Sequence, residues 1–80
     1  MKIQLLNGNF SAAETIEILS KLIQVKIQFH ENKISEISGE EEIKMRENRI
    51  KKLQQELFDA RKLIDKRKEN FNLNCEIKLD

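Results

Sequence analysis

The sequence predicts a mainly helical α+β chain: a β-α-α-β unit in which a long antiparallel two-helix hairpin carries a small antiparallel sheet built from the terminal strands. Three observations lead there. Large apolar side chains recur every seven residues at Ile43, Ile50, Leu57, Ile64 and Phe71 along an unbroken charged segment, the mark of a long helix whose narrow seam needs another helix against it. Ser38-Gly39 is the one break between that segment and the apolar-periodic stretch before it, and so short a connection makes antiparallel neighbours. The tail alternates without error, with Phe71, Leu73, Cys75, Ile77 and Leu79 on one face and Asn72, Asn74, Glu76, Lys78 and Asp80 on the other, which is a half-buried strand.

Taken in order, Lys2-Ile3-Gln4-Leu5-Leu6 suits a short strand over about 2–6 with Ile3 and Leu5 on one face. Asn7-Gly8-Asn9 is expected to end it, Gly8 serving as a turn. Ser11 and Glu14 have the spacing of a capping box, so a helix starts at about residue 12 and runs to about 37. Up to Phe29 its apolar residues cover more than half of its circumference, and beyond that only Ile34 and Ile37 remain. Its first half must therefore touch two things, the second helix and the sheet. Ser38 and Glu41 repeat the capping-box spacing at the second helix, about 40–70. This helix opens on Glu40-Glu41-Glu42 and nears its end with Arg61, Lys62, Lys66, Arg67 and Lys68, the order that complements the helix dipole. The final strand covers about 71–79. The whole chain, 1–80, reads as a single domain.

Composition narrows the function classes. With 39% hydrophobic residues, 36% charged residues and no proline, the chain is too apolar for a disordered tail and too free of breakers for a turn-rich β protein. A net charge of +1 gives no global pull toward nucleic acid or an anionic membrane. Apolar runs of only a few residues fall far short of the roughly 20 needed to span a bilayer. Cys75, the single cysteine, allows no intrachain disulfide, and no cationic stretch leads into an apolar run with a cleavage site. A cytoplasmic protein without a membrane segment is expected.

Few residues carry candidate chemistry. His30 is in seven-residue register with Ile16, Ile23 and Ile37, which seats it in the helix seam near Glu47 as a structural histidine. Cys75 falls on the apolar face of the tail strand, where a thiol acts as a small hydrophobe. Glu40 to Glu42 point in different directions and cannot converge on one ion. Gly8 has no phosphate-loop companions. No catalytic, metal or cofactor residues are assigned, and no cofactor is expected.

Phe58 stands out, pointing about 100° from the seam on a charged face. It either marks a contact or rests on the first helix or the sheet. The expected function is a small non-catalytic protein–protein interaction or assembly module, a coiled-coil-like helical hairpin forming a homodimer. It would hold a second copy or another protein partner through Phe58 or through the strand residues Leu73, Cys75 and Ile77. The alternative is a nucleic-acid-associated protein that binds through Arg61, Lys62, Lys66, Arg67 and Lys68 at the basic end of the second helix.

Overall fold

The computed structural model describes residues 1–36 and 39–80. It has the expected order: β1 (Lys2–Phe10), α1 (Ala12–Glu36), α2 (Glu40–Arg67) and β2 (Phe71–Lys78), with β1 and β2 paired antiparallel as a two-stranded sheet.

α1 starts as its capping residues dictate. The Glu14 N–H donates to Ser11 Oγ at 3.1 Å, and Glu14 Oε1 accepts from the Ser11 N–H at 2.9 Å, so two groups that the helix leaves without partners are satisfied reciprocally. Hydrogen bonding to the carboxyl from the Ser11 backbone N–H, then from the Ser11 side chain, holds Glu14 below its ordinary range. The first residue of α2 is Glu40; its cap is Gly39, extended at φ −86°, with no side-chain hydrogen bond. Ile37 and Ser38, expected to end the first helix and cap the second, lie outside the described residues. α2 stops short of the expected residue 70. Lys68 turns left-handed at φ 51° and its N–H closes on the Ile64 carbonyl at 3.0 Å, a geometry that ends a helix by satisfying one of its last carbonyls.

The two helices share a thin seam. Ile27, Leu53 and Ile64 are its fully buried apolar residues, joined by His30, while Ile43, Ile50 and Leu57 are only half-buried. The seam on α2 is thus rotated from the heptad line toward Leu53.

The sheet departs further from expectation. β1 does not end at Leu6: Asn7, Gly8, Asn9 and Phe10 pair with Asn74, Leu73, Asn72 and Phe71. Gly8 has no positive φ and is a strand residue facing Leu73, not a turn. The local turn preference of Asn-Gly loses to cross-strand partners of matching character, among them Asn9 Nδ2 donating to Asn72 Oδ1 at 3.0 Å. A bulge lies between Gln4 and Leu6. It leaves Leu5 as the extra residue, 47% exposed, and shifts the alternation so that Leu6 joins Ile3, Gly8 and Phe10 on the half-buried face. The expectation that Ile3 and Leu5 share a face is therefore corrected. Gln4 Nε2 staples the bulge, donating to the Leu6 carbonyl at 2.6 Å and to Asn74 Oδ1 at 2.6 Å.

The molecule is elongated and thin, with principal extents of 45 × 34 × 13 Å. Its radius of gyration is 15.2 Å, against about 12 Å for a compact chain of this length.

Candidate functional site

The seam holds the one buried histidine of the chain. His30 Nδ1 meets Arg46 Nη1 at 3.0 Å. A guanidinium can only donate, so Nδ1 accepts and the imidazole is neutral with its proton on Nε2. Burial, then the positive charges of Arg46, Arg49 and Lys26, hold its pKa below the ordinary imidazole value. Arg46 Nε is itself buried without a hydrogen-bond partner. The partner expected from sequence, Glu47, is exposed; the arginine one position earlier takes its place. The contact is a histidine–arginine hydrogen bond in the helix seam, with His30 buried.

Above this contact a cleft of about 460 Å³ opens between the helices, floored by His30 and Leu53 and flanked by Phe29, Lys26, Arg49 and Lys52, with Glu56 as its acid. Phe29 forms one wall. Its ring meets the His30 ring edge-on at 5.8 Å between centroids, yet 54% of the residue is exposed.

The expected partner-binding residues are scattered. Phe58 is 54% exposed, with the Lys62 ammonium of its own helix 4.4 Å from the ring centroid. Leu73 and Cys75 are half-buried on β2, opposite Gly8 and Leu6, and Cys75 is a free thiol. Ile77, opposite Ile3, is 42% exposed. The five cations of the nucleic-acid reading are all exposed but not convergent. Lys62 lies over Phe58, the Arg67 guanidinium lies 5.9 Å from the Phe71 centroid, and Lys68 forms the helix end.

One surface is absent from the sequence-based assignment. The second apolar stripe of α1, expected to lie under the sheet, is half-buried only at Ile18; Leu22, Val25 and Phe29 are exposed. The signal was present in their spacing of four, three and four residues, which is that of a helix–helix seam.

Among the described residues, no helix is long and apolar enough to cross a membrane, and no group of three or more His, Cys, Asp or Glu side chains could hold a metal ion. No family model, curated protein or solved structure matches this chain, so its function has to be read from its own surfaces.

Proposed function

We propose that this chain is a small non-catalytic assembly module that works as a homodimer. The observation that supports it is surface area. The chain exposes 6412 Å², whereas a folded monomer of 9.5 kDa exposes about 5,000 Å². The surplus, about 1,400 Å², exceeds the roughly 800 Å² per partner that a standard stable interface buries. It reflects an unfinished core: of the large apolar side chains, Ile27, Leu53 and Ile64 are buried, while Leu22, Val25, Phe29, Phe58 and Leu63 stand in solvent. A helix or sheet with an apolar face needs a second layer against it, and a second copy of the chain supplies one by symmetry.

The test is the solution mass by light scattering. A particle of twice 9.5 kDa at micromolar concentration supports the reading, and a monomer at high micromolar concentration rejects it.

A further inference from the structure

We propose that the two copies meet on the outer stripe of α1, Ile18, Leu22, Val25 and Phe29, with their α1 helices packed antiparallel about a two-fold axis between Leu22 and Val25. This rests on the self-association reading above and says where the contact lies.

Most of the stripe is left uncovered within one chain, with Leu22, Val25 and Phe29 exposed. α1 already presents Ile16, Ile23, Ile27 and His30 to α2, and the outer stripe lies about 140° around the helix from that seam. Val25 is 70% exposed, unusual for a β-branched residue in mid-helix, where it contributes nothing to helix propensity and loses side-chain freedom. Four apolar residues at steps of four, three and four alternate between the two inward positions of a coiled coil, so each can enter a hole on a facing helix.

The occupant and its direction follow from the flanks. In a parallel pair, Lys21 of each helix would face Lys26 of the other, placing two like-charge contacts beside a short seam. In the antiparallel pair Lys21 faces Gln28 and Lys26 faces Leu19, and no like charges meet. The layers also match in size, with Leu22 of one copy on Val25 of the other and Ile18 on Phe29.

α2 agrees with this register. The His30–Arg46 contact fixes which α2 residues lie level with the stripe, and its centre falls level with Lys52 and Leu53. The same two-fold therefore brings Arg49 of one copy level with Glu56 of the other. Both residues line the cleft that Phe29, at one end of the stripe, walls, so the pairing of opposite charges recurs once on each side of the axis.

The experiment is light scattering and far-ultraviolet circular dichroism on the full chain and its variants. Val25→Glu with Phe29→Glu changes exposed positions only. It should halve the mass from that of a dimer to 9.5 kDa with the helical signal retained, while Phe58→Ser and Ile77→Thr should leave the dimer mass unchanged. A second measurement is independent of the charged variant. In a Cys75→Ser background, Leu22→Cys with Val25→Cys should cross-link to a covalent dimer under diamide, and Leu22→Cys alone should cross-link far less.

A monomeric unmodified chain overturns the self-association reading and this interface with it. A dimer that survives Val25→Glu with Phe29→Glu, or that fails to cross-link through the paired cysteines, overturns the interface alone.

Discussion

His30 carries a pH response near neutrality. Its folded pKa is held below 6.5, the ordinary value, so as pH falls through that value the unfolded chain gains a proton that the folded chain resists taking up. Stability is thus fully present above the ordinary value and declines below it. The thermal midpoint should drop as pH falls through the ordinary imidazole value, and His30→Leu should flatten that part of the profile while leaving the carboxylate-driven loss at lower pH. Arg46 offers a sharper test. Its Nε is buried without a partner, and among the described residues no carboxylate forms a salt bridge with it. Exchanging it for Met removes an unpaired charge but also leaves the buried His30 Nδ1 without its donor. The two effects offset, so Arg46→Met should change the melting temperature little, and the His30 titration followed by NMR should move up. Ser11→Ala should cost about 1 kcal/mol in chemical denaturation, because one cap hydrogen bond is lost. The Ser11–Glu14 pair was legible in the sequence because it is local. The partner of His30 was not, because one residue of offset at the bend exchanges Glu47 for Arg46.

At the scale of elements, the seam is where stability resides. Leu53→Ala or Ile64→Ala should cost roughly 2 to 5 kcal/mol by chemical denaturation, while Ile50→Ala, at a half-buried position, should cost visibly less. The heptad line through Ile43, Ile50, Leu57 and Ile64 identified the helix but not its most buried face, since the rotation toward Leu53 depends on how α1 sits against α2. β2 was legible because its alternation is unbroken. β1 was not, for two physical reasons. Asn7-Gly8-Asn9 is a strong turn signal taken alone, and only the facing Asn74, Leu73 and Asn72 keep it extended. Leu5 and Leu6 are both apolar, so nothing in the sequence says which of them the bulge turns outward. Removing residues 73–80 deprives most of β1 of its facing strand; the melting temperature should fall strongly, with the helical signal kept only in part.

At the scale of the whole molecule, a dimer has a stability that depends on concentration. The melting temperature of the unmodified chain should rise between low and high micromolar protein, and that of Val25→Glu with Phe29→Glu should not. The outer stripe of α1 was visible in the sequence as a wide apolar face. Its exposure was not, because the sequence could not say how little of that face the sheet would cover.

The bulge at Leu5 has a consequence for growth. A two-stranded sheet can recruit further strands on either side without limit, the route to fibres. Here the β1 side carries the irregularity, with Leu5 turned out and Gln4 stapled across it, whereas β2 is regular. Any strand-on-strand accretion can therefore proceed from β2 alone and stops once two β2 strands have met. Deleting Leu5 would restore strict alternation from Ile3 through Phe10 and open the second side. Such a variant should keep its helices yet become fibre-prone, detected as thioflavin fluorescence above that of the unmodified chain under the same conditions.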